Sequence, residues 1–424
     1  MKIWIRRGVS VLLVIALLLG LQRLVVPKYV SEFAEGGFTA EYYRETMGHQ
    51  VLMVGDCELY DNFSPAVLWQ KYGITSYIRG NAQQLTWQTY YMLREALERE
   101  TPDVVVVNML ELIYNEPVRE EYNRLALDEM RWSKDKLEAI RASGMSDEHI
   151  LDYIFPLLRY HSRITQLTKD DFTYFTGTGN VQRTTAGYHM RVDVAPYEED
   201  FTEEEFYEED IEEEEEFYEE DAWEEEESYE EDIEEEPDEE DTEEESYIED
   251  AEEEEEEFCE EEEEDFDEEA DTSWDDEPED FTFGSKAMTY MDQITQLCRE
   301  KGIRLLLVKA PSLMPVWYDE WEEQARAYAE KNGLDYINFL DLADEIGIDY
   351  SEDTYDGGFH MNVTGAEKCA DYLGKFLSEE YGLKDMRGDA DTAAVWEEKI
   401  NFYEELKAAQ YKELEEYGEL INYY

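Results

Sequence analysis

Three short, unbroken apolar runs constrain this chain most: Val51-Leu52-Met53-Val54, Val104 to Val107, and Leu305-Leu306-Leu307-Val308. Runs of this kind lack the alternation of a strand with one wet face. They suit strands buried on both faces, which occur in parallel sheets covered by helices.

The segments between them carry helix signals. Ser64 offers an N-cap and Pro65 a first helical residue. A helix is expected from Pro65 to about Lys71, ending at Gly73. Ile74 to Ile78 reads as a second strand that stops at Arg79-Gly80-Asn81. A longer helix, about Gln83 to Glu100, breaks at Thr101-Pro102, and the next strand ends at Asn108. After Phe283 the pattern resumes with helix Ala287 to Lys301, strand Arg304 to Val308, helix Glu320 to Lys331 and strand Tyr336 to Phe339. A last domain helix runs from Gly365 to Leu377. This alternation predicts an α/β fold, a three-layer α/β/α sandwich on a parallel sheet.

Two stretches interrupt it. Residues 115–196 read as a mainly helical insertion, with 3.6-residue apolar spacing in Ser133 to Arg141 and Asp147 to Leu167. Trp132, Tyr153 and Phe155 are expected in its core, and Gly177 to Asn180 and Gly187-Tyr188 in loops. Residues 197–282 form an acidic low-complexity tract. From Glu198 to Asp280 it holds 57 Asp and Glu in 83 residues, with no Lys or Arg. Tyr207, Tyr218 and Tyr229 recur every eleven residues within it. Self-repulsion at that density opposes compaction, so the tract is expected to be disordered. Its carboxylates suit weak, multi-site binding of divalent cations. The chain's formal charge of -77 falls to about -20 without the tract, and no basic patch stands out, which argues against nucleic acid as a partner.

At the N-terminus, Lys2, Arg6 and Arg7 precede an uncharged, mostly apolar run from Gly8 to Leu21. A run of this length suits a signal-peptide core as well as a span, but no convincing small-x-small cleavage site follows, so residues 1–27 are expected to be an uncleaved anchor in the cytoplasmic membrane. The basic flank places everything after it outside. Residues 28–48 read as a stalk, 49–114 and 283–385 as the two parts of the α/β domain, and 386–424 as an acidic, Tyr-rich helical tail. The four cysteines, Cys57, Cys259, Cys298 and Cys369, show no metal or disulfide spacing. No cofactor or metal site is expected.

Four elements fall at the carboxyl side of strands in the proposed sheet: Cys57 after Gly55-Asp56, Gly80, Asn108, and the loop Asp353 to Asn362 that holds Asp356 and His360. Open α/β sheets bind ligands in the crevice there. In this order the residues resemble the SGNH/GDSL hydrolase superfamily over about Gln50 to Tyr114 and Phe283 to Gly382. Gly55-Asp56-Cys57 matches its Gly-Asp-Ser block with cysteine for serine. Gly80 matches the second-block glycine, Asn108 the third-block asparagine and His360 the last-block histidine. The family places an aspartate three residues before that histidine. Here that position is Gly357, so either Asp356 or Asp353 does the orienting.

The resemblance implies an SGNH/flavodoxin-like sandwich and acyl transfer through a covalent acyl-enzyme. His360 would take the proton of Cys57, and Asp356 would hold the imidazole. The backbone N–H groups of Cys57 and Gly80 and the amide of Asn108 would hold the oxyanion. Outside the membrane, related proteins act on O-acyl groups of cell-surface polysaccharide, often beside a membrane-bound acyltransferase. Three readings follow: an esterase, an O-acyltransferase, or a catalytically silent surface-binding scaffold. The absence of a G-x-S-x-G elbow argues against the α/β-hydrolase plan.

Overall fold

The computed structural model describes residues 2–28, 37–115, 120–128, 130–143, 150–176, 185–197 and 280–421. The acidic tract lies almost wholly outside the described residues, as do Cys259, the Gly177 to Asn180 stretch and part of the expected stalk.

Five strands form one parallel sheet: β1 (Val51–Gly55), β2 (Ser76–Gly80), β3 (Val104–Asn108), β4 (Arg304–Lys309) and β5 (Asp335–Asn338). Their order is β2-β1-β3-β4-β5. Val51 lies opposite Ser76 on one side and Val104 on the other, and Val104 lies opposite Arg304. The two-residue period of the strands divides each apolar run between two faces. Leu52, Val54, Val105, Val107, Leu305 and Leu307 pack under helices Thr86–Ala96, Ser285–Lys301 and Asp319–Asn332. Val51, Met53, Val104, Val106, Leu306 and Val308 pack under helices Pro65–Tyr72, Val363–Glu379 and Ala390–Tyr417. Both faces are covered, so the three-layer α/β/α sandwich expected from the unbroken apolar runs is the fold observed.

The strand β2 starts and ends two residues later than expected, because Arg79 is a strand residue and not a stop. Its buried guanidinium donates to the Met92 carbonyl at 2.7 Å, pairs with Glu95 and lies 4.8 Å over the Tyr42 ring. Paired this way, the charge is tolerated inside the fold. The helix expected from Gln83 to Glu100 is shorter at both ends, Thr86–Ala96. The C-terminal helix Ala390–Tyr417 is built into the domain. Trp396 stacks on Trp69 with ring centroids 5.3 Å apart, Tyr403 donates to Glu367, and the Gln410 amide donates to the Met190 carbonyl.

The insertion is helical but fragmented. Helices Glu120–Asp128 and Lys134–Ser143 are followed by three short ones, Ile150–Ile154, Leu157–Tyr160 and Lys169–Thr173. Pro156 caps the second of these and interrupts the pattern that begins near Asp147. Tyr153 is buried as expected, but Phe155 and Trp132 are about half exposed, at 47% and 56%, and do not belong to the core. The insertion returns through residues 185–197, a strap without helix or strand. The N-terminal helix Lys2–Val25 contains a stretch, Trp4–Val25, long and apolar enough to cross a membrane.

Candidate functional site

In a sheet of order 2-1-3-4-5 the winding reverses between the first and third strands, and the crevice outside their carboxyl ends is where ligands bind. The strand β1 ends at Gly55, opposite Gly80 at the end of β2. A Cβ at Gly80 would collide with the Gly55 carbonyl oxygen, which explains glycine there. Asp56 caps the short helix Cys57–Tyr60, of which Cys57 is the first residue. A first helical residue has no intrahelical partner for its N–H. Cys57 itself is partly exposed.

His360 arrives from the loop between β5 and helix Val363–Glu379. Its Nδ1 lies 2.6 Å from Asp356 Oδ2, and its backbone N–H donates to Asp356 Oδ1 at 2.7 Å. Nδ1 faces a carboxylate oxygen and is the nitrogen that donates. The Cys57 thiol and the same imidazole lie close enough to act on each other's protonation. Cys57, His360 and Asp356 therefore fall in one row, with His360 hydrogen-bonded to Asp356. Asp353 is occupied elsewhere: it pairs with Lys368 and accepts from Thr364 Oγ1 at 2.8 Å and the Asp349 N–H at 2.7 Å. Asp356 is thus the orienting residue, one position further from the histidine than in the SGNH pattern. Gly357 and Gly358 absorb that extra residue at φ of 70° and 105°, conformations that favour glycine.

Asn108 is placed behind Cys57. Its amide donates to Glu58 at 2.7 Å and Asp56 at 3.2 Å, so both hydrogens are committed to carboxylates in this conformation. Glu58 also pairs at 2.9 Å with Lys309, which is fully buried at the end of β4. Glu111 accepts from Thr89 at 2.8 Å and leans on the Gly55-Asp56 turn. Lys309 thus pairs directly with one of three neighbouring buried acids, Glu58. Burial, and then the charge of Glu58, push the Asp56 carboxyl up to about 7. Burial and the charge of Asp56 hold Glu111 well above the usual carboxylate range.

At the row itself, burial pushes the Cys57 thiol up to about 11, against the opposing pull of His360. Burial lowers His360, but Asp356 and Cys57 together outweigh it and hold the imidazole well above an ordinary histidine.

Sequence reasoning missed the residues that lock this site together. Asn62 accepts from the Met361 N–H at 2.6 Å and donates to Ser312 at 3.1 Å, tying the His360 loop to the loop after helix Cys57–Tyr60. Tyr355 stacks along His360 with ring centroids 5.9 Å apart. The strap 185–197 crosses the carboxyl ends of the strands. Ala186 accepts from the Ile78 N–H, His189 donates from its backbone to Tyr60, and Arg191 accepts from the Val363 N–H. His189 Nδ1 lies 2.6 Å from Asp61, a second histidine–aspartate pair, and Arg191 sits 4.7 Å over the Tyr355 ring. The only signal in the sequence was one histidine among five in an otherwise unpatterned stretch. Among the described residues, no cluster of three or more His, Cys, Asp or Glu could hold a metal ion.

Fold and site together define a five-stranded parallel α/β protein with a cysteine–histidine–aspartate row at its topological switch point. The chain matches no protein-family model, no curated protein and no solved structure.

Proposed function

We propose that this protein is an SGNH-like acyl hydrolase, acting outside the cytoplasmic membrane on O-acyl groups of cell-surface carbohydrate. The single observation that carries the reading is the row Cys57–His360–Asp356 beside the ends of β1 and β3, with His360 hydrogen-bonded to Asp356. The location rests on the apolar helix Trp4–Val25 and its basic flank.

The chemistry runs in two balanced halves. The Cys57 proton passes to His360, and the sulfur attacks the ester carbonyl carbon. The ester C–O bond breaks, and the departing alcohol takes the proton from His360. Water then attacks the thioester and gives its proton to His360, which returns it to sulfur as the acid leaves. The N–H of Cys57, unpaired within its helix, and that of Gly80 are the backbone donors for the oxyanion. Asn108 contributes only if its amide leaves Glu58. A hydroxyl in place of water would make the same site an O-acyltransferase, with a membrane-bound acyltransferase as a possible source of acyl groups.

A second reading, the silent binding scaffold, draws on two observations: the thiol held up at about 11, and the Asn108 amide committed to carboxylates. The two readings separate on O-acetylated polysaccharide incubated with the full chain. An esterase releases acetate, and its His360→Ala variant does not. A scaffold binds the polymer and releases no acetate with either protein.

A further inference from the structure

The last part of the insertion carries an apolar surface that the proposed chemistry does not use. Between residues 150 and 176, Leu151, Phe155, Leu158, Ile164 and Phe172 are 47–62% exposed. They lie on or beside the short helices Ile150–Ile154, Leu157–Tyr160 and Lys169–Thr173. Apolar side chains at this density, on consecutive short elements, mark an interaction surface and not ordinary scattered exposure.

Its position says what covers it. Helices Leu157–Tyr160 and Lys169–Thr173 pack against the N-terminal apolar helix. The join is at that helix's carboxyl end. Arg163 donates to the Val25 carbonyl at 2.6 Å, Arg23 donates to the Phe175 carbonyl at 3.0 Å, and Lys28 donates to the Arg23 carbonyl at 2.9 Å. Asp171, fully buried, pairs with Arg163 at 3.1 Å and Lys28 at 3.9 Å. Val25 is buried in this join, whereas Trp4 to Leu19 stand exposed along the helix. The exposed apolar stem therefore runs directly into the exposed apolar collar. Basic groups satisfy the terminal carbonyls where the two meet, the arrangement expected at a headgroup level.

We infer that residues 150–176 form a collar that lies in the membrane interface, its apolar side chains inserted into the leaflet from which helix Trp4–Val25 emerges. The occupant is the lipid bilayer itself. The collar and helix together would hold the domain at a fixed height and tilt, where a single helix on a flexible stalk would not. The inference rests on reading Trp4–Val25 as a span, but not on the hydrolase reading.

The test uses the full chain in vesicles of phosphatidylcholine and phosphatidylglycerol, with a photo-crosslinking benzophenone side chain at Leu12, Phe155, Phe172 or Lys375. Lys375 is exposed on helix Val363–Glu379, which covers the opposite sheet face from the helix Thr86–Ala96 that the insertion packs on. Irradiation is followed by mass spectrometry of the adducts. Lipid adducts are expected at Leu12, Phe155 and Phe172, and none at Lys375. Lipid adducts at Leu12 alone overturn the collar and leave the span standing. No lipid adduct at any position overturns both. Adducts at Phe155 and Phe172 to a second copy of the chain, in place of lipid, overturn the collar and identify a self-interface.

Discussion

Asp356 accepts two hydrogen bonds from His360, one from the backbone N–H at 2.7 Å and one from Nδ1 at 2.6 Å. The first fixes the turn and the second fixes the ring. Asp356→Asn removes the charge and allows the wrong tautomer, so ester turnover should fall by as much as about ten-thousandfold. Asp353→Asn should leave kcat nearly unchanged and lower only the thermal midpoint, because Asp353 ties Lys368 and Thr364 to the loop. Steady-state kinetics of the two variants side by side check the assignment. A larger loss of kcat in Asp353→Asn would reverse it.

Lys309 is fully buried among the acids behind Cys57 and pairs with Glu58 at 2.9 Å. Removing one partner of such a pair leaves an uncompensated buried charge. Lys309→Met should cost about 3–5 kcal/mol of unfolding free energy. The double variant Glu58→Gln with Lys309→Met should recover part of that loss, and urea denaturation measures both.

Asp56 gives a pH signature whose sign is fixed. Its folded value of about 7 lies above its ordinary 3.8. The folded state therefore binds this proton more tightly than the unfolded chain. Stability is penalised progressively as pH rises through that window, and the penalty is constant above it. Asp56→Asn keeps an acceptor for Asn108 and removes the charge. Its thermal midpoint should exceed that of the wild type at pH 8, and the advantage should shrink to nothing near pH 4. An advantage independent of pH would contradict a buried, penalised carboxylate.

Trp396→Ala should lower the unfolding free energy by about 3–5 kcal/mol. The residue lies outside the stretch that resembles the SGNH pattern, yet its ring stacks on Trp69 of helix Pro65–Tyr72. A change under 1 kcal/mol in chemical denaturation would mean the C-terminal helix is an appendage.

The sheet was legible because burial on both faces leaves a run such as Val104 to Val107 with no polar residue to hide it. The limits of β2 were not, since Arg79 reads as solvent-facing until Glu95, Met92 and Tyr42 are brought to it by the fold. Cys57, Gly80, Asn108 and His360 could be named because their places after strands, taken together, resemble the SGNH pattern. The partners of Asn108 could not, because Glu58 and Lys309 meet only across strands far apart in sequence. The strap was illegible for a different reason. It binds through backbone groups, as between His189 and Tyr60, and backbone pairing leaves no residue pattern.

The most direct test of the central claim is the mass of Cys57 after incubation of the full chain with a chromogenic acetyl ester. A burst of product is expected, with an acetyl group on Cys57 as a thioester. Cys57→Ala should abolish it and His360→Ala should slow it greatly. Cys57→Ser should retain turnover, because serine is the nucleophile this geometry resembles. The acylation rate should climb with pH well past neutrality, as His360 gives up its raised proton and the thiol approaches about 11. If neither the native protein nor Cys57→Ser turns over ester at any pH, and no acyl group appears on Cys57, the hydrolase reading is contradicted and the binding scaffold stands.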